Sequence, residues 1–206
     1  MKLLCAAVFV CLLLVPLAVN AGEWVDTDKT NCKIWNQAPA PNQTISWSGN
    51  CLSGYASGSG TAICYENGKE IARYEGQVKS GKFQGKGTFV FANGDKYAGD
   101  FAGGKFHGKG TLALANGAKY AGDFADGSFH GKGTFSLANG DMYAGDFVAS
   151  KPHGKGIMTT ANGNKYEGNF ADGTFHGKGT FTCGNGKQFT GNFDNGKPVG
   201  FTIQCD

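Results

Sequence analysis

The segment Phe-His-Gly-Lys-Gly-Thr occurs three times, at 106–111, 129–134 and 175–180, with variants at 83–88 (Phe-Gln-Gly-Lys-Gly-Thr) and 152–157 (Pro-His-Gly-Lys-Gly-Ile). An imidazole and an ammonium among glycines have the right types to ligate a metal, cradle a phosphate or exchange protons. Their spacing decides against all three. His107, His130, His153 and His176 are each 23 residues apart. If each copy contributes two strands, neighbouring imidazoles stand about 9–10 Å apart, whereas zinc ligands gather about 2 Å from one ion. Gly103 to Lys109 copies most of a P-loop, but Gly110 occupies the position where magnesium binding needs Ser or Thr. Catalysis needs unlike groups converging on one point, and a ladder of like groups at equal spacing does the opposite. The chain therefore reads as non-enzymatic, with no catalytic residue, no metal site and no cofactor.

The elements that carry these residues follow from the period. An aromatic with glycine two residues later stands at Trp47, Tyr74, Tyr97, Tyr120, Tyr143, Tyr166 and Phe189; from Tyr74 onward the interval is 23 residues, and the first is 27, with the extra residues around Gly68–Arg73. Within a unit the period is two: Tyr97, Gly99 and Phe101 share one face of a strand, and Gly110, Leu112 and Leu114 share a face of the next. A bend over Ala102–Phe106 separates the two halves, and Asn-Gly, a strong hairpin-turn signal, closes the unit at Asn93, Asn116, Asn139, Asn162 and Asn185. Each unit is a β-hairpin. The fold class is all-β: an elongated, single-layer antiparallel sheet of tandem hairpins.

Matching like faces puts Phe101 over Gly110 and Gly99 under Leu112, so that large opposes small. On the polar face Asp100, Asp123 and Asp146 recur on first strands and Lys109, Lys132 and Lys155 on second strands, a ladder worth roughly 0.2–1 kcal/mol per cross-strand pair. The histidines read as loop residues beside the bend. A single layer leaves its aromatic face under-buried unless it curls, dimerises or is filled. That face is the candidate groove for a partner, lined by Tyr97, Phe101, Tyr120, Phe124, Tyr143, Phe147, Tyr166 and Phe170; alternatively these rings pack on each other and bind nothing.

Residues 1–21 read as a secretory signal peptide: Lys2, an apolar run from Leu3 to Val19 and a small-x-small site ending at Ala21. Residues 22–46 form an N-terminal arm or cap, and 47–206 the seven units, the last one partial and acting as a C-terminal cap. The protein is expected to be exported, periplasmic or secreted if the source is bacterial. Without Lys2 the balance is 18 basic against 16 acidic residues, too mild and too evenly spread for nucleic acid. Export permits disulfides, but Cys32, Cys51, Cys64, Cys183 and Cys205 are an odd set. Cys32 and Cys51 flank the first hairpin and are the candidate pair. Cys183 and Cys205 fall two strands apart and meet only if the C-terminal segment folds back. Cys64 is left as the odd thiol.

The unit Tyr-x-Gly-x-Phe, followed after five residues by His-Gly-Lys-Gly-Thr and closed by Asn-Gly, resembles the MORN repeat, over Trp47 to about Phe201. The whole is similar to exported bacterial MORN-repeat proteins, and Cys32–Cys51 with Trp35 and Trp47 resembles their N-terminal cap. The resemblance implies a slightly twisted sheet of hairpins with an aromatic groove, serving as a scaffold, a dimerisation surface or a membrane or phosphoinositide contact. Ser150 in place of a turn glycine and Pro152 in place of Phe depart from the pattern and predict a kink in the unit at Tyr143. The leading functional expectation is a protein-binding or self-association module whose partner is another protein or a second copy. The rivals are a weak contact with anionic membrane lipids through Lys86, Lys109, Lys132, Lys155 and Lys178, which the interleaved aspartates oppose, and a glycan or cell-envelope binder.

Overall fold

The period-two segments form strands throughout. The computed structural model describes residues 22–28 and 31–205; the expected signal peptide, 1–21, lies outside them. Among the described residues there are seventeen strands and no helix, arranged as tandem hairpins in an open sheet whose pairing is antiparallel except where the N-terminal arm joins it. The chain divides into two compact units, residues 22–115 with 124–127 and residues 116–123 with 128–205.

The first unit contains β1 (Glu23–Asp26), β2 (Lys33–Asn36), β3 (Gln43–Trp47), β4 (Asn50–Leu52), β5 (Tyr55–Glu66), β6 (Lys69–Lys79), β7 (Lys82–Phe91), β8 (Lys96–Ala102) and β9 (Lys105–Ala113). The extra residues of its first interval lengthen β5 and β6, which turn at Asn67–Gly68 and carry a bulge at Cys64/Tyr65. The arm β1–β2 packs beside the hairpin turns, where the Trp35 N–H donates to the Gly81 carbonyl over 2.9 Å. A disulfide joins Cys32 to Cys51. The second unit takes most of β10 (Lys119–Ala125), then β11 (Ser128–Ser136), β12 (Met142–Val148), β13 (Lys151–Thr159), β14 (Lys165–Ala171), β15 (Thr174–Thr182), β16 (Gln188–Asp194) and β17 (Lys197–Pro198).

Two turn types alternate. Inside a hairpin the turn is two residues, not the wider bend expected over Ala102–Phe106: Gly103–Gly104, Asp126–Gly127, Ala149–Ser150 and Asp172–Gly173 all have positive φ, as the right-handed twist of a tight hairpin requires. Lys105, Phe106 and His107 therefore belong to β9, and the histidines lie in strands rather than loops. Between hairpins only the glycine of Asn-Gly has positive φ (Gly94, +92°). Phe91 accepts from the Gly94 N–H and donates to the Asp95 carbonyl, a three-residue loop ending in a left-handed residue, while Asn93 Oδ1 accepts the Asp95 N–H at 3.0 Å.

The register differs from the expected one because each second strand bulges. Gly99 faces Gly110 and Asp100 faces His107, with Gly108 and Lys109 as extra residues between. Phe101 consequently faces Phe106 within its hairpin and Gly85 of the preceding one, and Tyr97, rather than Gly99, faces Leu112. The result is a row of glycines across the strands, Gly76–Gly87–Gly99–Gly110 in one unit and Gly133–Gly145–Gly156–Gly168–Gly179–Gly191 in the other.

No kink interrupts the repeat at Tyr143: β12, β13 and β14 keep the common register. Pro152 fills the place of the missing Phe as a buried residue. The backbone N–H at this position has no partner strand to lose. At Phe129 it reaches sideways to the Ser150 hydroxyl, 3.1 Å away, and proline simply lacks it. At the C-terminus β17 is only two residues long, and the chain then folds back over the last hairpin. Phe201 packs edge-on against Phe193, Asn185 donates to the Cys205 carbonyl, and Cys183 is joined to Cys205 with α-carbons 5.5 Å apart. The regular final hairpin that would have kept those cysteines apart does not form.

The glycine row gives a direct test. A β-carbon on Gly110 would stand 2.6 Å from the Tyr97 ring and 2.5 Å from its hydroxyl oxygen, so Gly110→Ala is expected to destabilise the fold by about 1–3 kcal/mol, the usual cost of overpacking. Denaturant unfolding monitored by tryptophan fluorescence checks this; an unchanged midpoint contradicts the register.

Candidate functional site

The eight residues expected to line an open groove are core. Tyr97, Phe101, Tyr120, Phe124, Tyr143, Phe147, Tyr166 and Phe170 are all 3% exposed or less. Each repeat tyrosine lies flat on a glycine pair, and all but Tyr143, which has Pro152 in that place, stack on the Phe at the start of the following strand: Tyr97 on Phe106 at 3.8 Å, Tyr120 on Phe129 at 3.7 Å, Tyr166 on Phe175 at 3.8 Å. The Phe of the next repeat meets it edge-on, as Phe124 does Tyr97, Phe147 Tyr120 and Phe193 Tyr166, at 5.0–5.1 Å. Such pairs contribute roughly 0.5–1.5 kcal/mol each beyond the area they bury. The first repeat uses Trp47 in the same way over Gly49 and Gly60, with its indole N–H donating to the Asn50 carbonyl at 2.9 Å.

The buried hydroxyls are satisfied. Tyr97 donates to the Asp100 carbonyl at 2.7 Å and Tyr143 to the Asp146 carbonyl at 2.8 Å, tying the ring to the bulge. Burial pushes Tyr74 and Tyr97 up to about 12, and Tyr120 and Tyr143 upward as well.

The opposite face is where functional groups meet solvent. It carries Lys, Asp or Asn, His and small residues at fixed positions. The ladder pairs run between hairpins, not within them as expected: Lys86 pairs with Asp100 at 2.7 Å, and Lys132 with Asp146. Within the hairpin the aspartate instead accepts the backbone N–H of the bulged lysine, Lys109 to Asp100 at 3.1 Å and Lys155 to Asp146 at 3.3 Å. The Lys86 ammonium first, and the Lys109 N–H after it, hold the Asp100 carboxyl below its ordinary value; Lys132 and then Lys155 do the same for Asp146. Each imidazole faces the same aspartate position, as His107 does Asp100 and His153 does Asp146. Among the described residues no three metal-ligating side chains gather at a point. Cys64 is a free thiol, half-buried, and burial followed by the Glu66 charge pushes its pKa up.

Sequence reasoning missed one feature of this face that the aligned repeats do carry. The aspartate position reads Asp100, Asp123 and Asp146 and then changes to Asn169 and Asn192. Their register partners are Lys155 and Lys178.

A sequence profile described as the MORN repeat matches residues 74–96, 97–119, 120–142, 143–165 and 166–188. No curated protein matches the chain in sequence. Among solved structures it is similar to the SAS-4 (dCPAP) TCP domain of Drosophila melanogaster, in complex with a proline-rich motif of Ana2 (dSTIL), at 11% identity over 85% of this chain and 92% of that one, with a TM-score of 0.41.

The raised tyrosines predict an alkaline limit. The folded state keeps Tyr74 and Tyr97 neutral up to about pH 12, whereas the unfolded chain ionises near pH 10. Their contribution is therefore intact below about pH 10 and is lost as pH rises toward 12. Titration of phenolate absorbance should show Tyr74 and Tyr97 ionising only with unfolding; ionisation near pH 10 in the native fold contradicts their burial.

Proposed function

Since the chain belongs to the MORN-repeat family, whose repeats commonly bind proteins or membranes, we propose that it is a non-enzymatic protein-binding and scaffold module working through the polar face of its hairpins. One observation carries this reading: the aromatic face is consumed by the protein's own core, while the other face presents a polar set of closely similar groups at each repeat. An array of this kind suits an extended macromolecular partner that can be contacted at several equal steps. Export, to the periplasm or medium if the source is bacterial, belongs to the same reading and rests on the N-terminal sequence.

Anionic lipid is the weaker reading. Lys86 and Lys132 are neutralised by Asp100 and Asp146, which lowers the potential an acidic membrane surface would meet.

Lysine-directed cross-linking of the protein in its native extract tests the proposal. Partner cross-links are expected at Lys86, Lys132, Lys155 and Lys178 in the middle of the polar face, rather than at Lys105 and Lys151 at its margin beside the hairpin turns. Cross-links confined to the turn lysines, or none at all from a monomer, contradict it. Flotation with anionic vesicles at physiological salt, without protein cross-links, favours lipid instead.

A further inference from the structure

We propose that the exposed face of the repeats beginning at Tyr143 and Tyr166 binds an acidic peptide in polyproline II conformation, carboxylates three residues apart docking on Lys155 and Lys178. This rests on the protein-binding reading above and names the partner's chemistry.

The starting point is a break in an otherwise regular pattern of charge. Lys86 and Lys132 each face, across the strand boundary, an aspartate that neutralises them. Lys155 and Lys178 stand at the equivalent position but face the amides of Asn169 and Asn192, and no ion pair holds either ammonium among the described residues. The amide also changes the hydrogen bond made at the bulge. Asn169 Nδ2 donates to the Lys178 carbonyl at 3.2 Å, where Asp100 and Asp146 accept a lysine N–H. Two adjacent hairpins thus carry unneutralised positive charge on a face that is elsewhere paired.

The same two hairpins hold a shallow depression of about 410 Å³. Ala144, Ile157 and Gly168 are among its lining, with Lys155, Asn169 and Lys178. Glu167 also borders it, but its carboxylate is held at 2.7 Å by Lys165. Of the other nearby carboxylates, Asp146 is engaged by Lys132, and Asp194 lies beyond Asn192, the register partner of Lys178, 3.5 Å from the His176 ring. A recess admits a projecting carboxylate side chain more readily than a flat membrane surface, which would press its phosphates against Glu167 as well.

Spacing selects the conformation of the ligand. Lys155 and Lys178 belong to alternate strands, about 9.6 Å apart at the usual strand separation. A polyproline II chain rises about 3.1 Å per residue with three residues per turn, so residues i and i+3 project on the same side about 9.3 Å apart. In a β-strand, same-side neighbours are about 6.8 Å apart, and on a helix they are about 5–6 Å apart. Of these nearest same-side spacings, the polyproline II one matches the hairpin repeat.

The test uses the full chain and a fluorescent peptide of consecutive Glu-Pro-Pro triplets, with a control of the same composition whose glutamates are contiguous. Fluorescence anisotropy should show tighter binding of the triplet peptide, weakening as salt rises. Asn169→Asp combined with Asn192→Asp restores the residue found at positions 100 and 146, so the fold should be unaffected. It should weaken binding about tenfold. Asp146→Asn, which frees Lys132, should strengthen it. Equal affinity for both peptides, or indifference to the Asn169→Asp and Asn192→Asp pair, overturns the inference. So does flotation on phosphatidylserine vesicles that is lost with those substitutions while the peptides are not distinguished. A native partner that cross-links to the polar face of wild type and double variant alike overturns this site while leaving the protein-binding reading standing.

Discussion

A tyrosine ring lying on two opposed glycines is the contact on which the rest of the structure depends. Tyr97 covers Gly99 and Gly110, and its hydroxyl ties the bulge beyond them through the Asp100 carbonyl. Removing both β-carbons lets the ring approach the backbone and be buried there. The bulge sets the register that makes glycine meet glycine, and the hydroxyl holds the bulge. Stacked and edge-on Phe rings then link each repeat to the next within a unit. The repeat is thus a core divided into slices, each completed by its neighbour, which is why both described ends need substitutes: Trp47 at the start, Phe201 and the Cys183–Cys205 bridge at the finish.

Burial on one side assigns function to the other. Once the rings are committed to the core, what reaches solvent in the hairpins from β8 to β15 is chiefly lysine, aspartate or asparagine, histidine and small residues. That face is regular by construction, so its information lies in departures from regularity. The change from aspartate to asparagine at positions 169 and 192 is such a departure, altering the local field without altering the strand register.

Much of this was legible in the sequence because the period was strict. The hairpins, the strand faces and the units starting at Tyr74 to Tyr166 follow from the 23-residue spacing and the alternation within it. What was not legible depended on single residues of backbone geometry. Gly108, at φ +56°, makes a bulge that shifts the register by two residues, and nothing in alternation alone distinguishes it from Gly110, which lies in the row beneath the ring. That shift moved the aspartate–lysine pairs from within hairpins to between them. The open aromatic groove failed for a related reason: a single layer was expected to leave its rings exposed, yet flat rings on glycine backbone bury one another. The kink expected at Pro152 failed because hydrogen bonding at that position runs to a side chain rather than along the strand ladder.

Chemical nitration of the native protein with tetranitromethane, mapped by mass spectrometry, tests the buried-ring account most directly. Tyr55 and Tyr65, which are partly exposed, should react, while Tyr74, Tyr97, Tyr120, Tyr143 and Tyr166 should stay unmodified until the chain is unfolded. Modification of the five repeat tyrosines in the folded protein, at rates like those of Tyr55 and Tyr65, would contradict it and return the aromatic face to the status of an open groove.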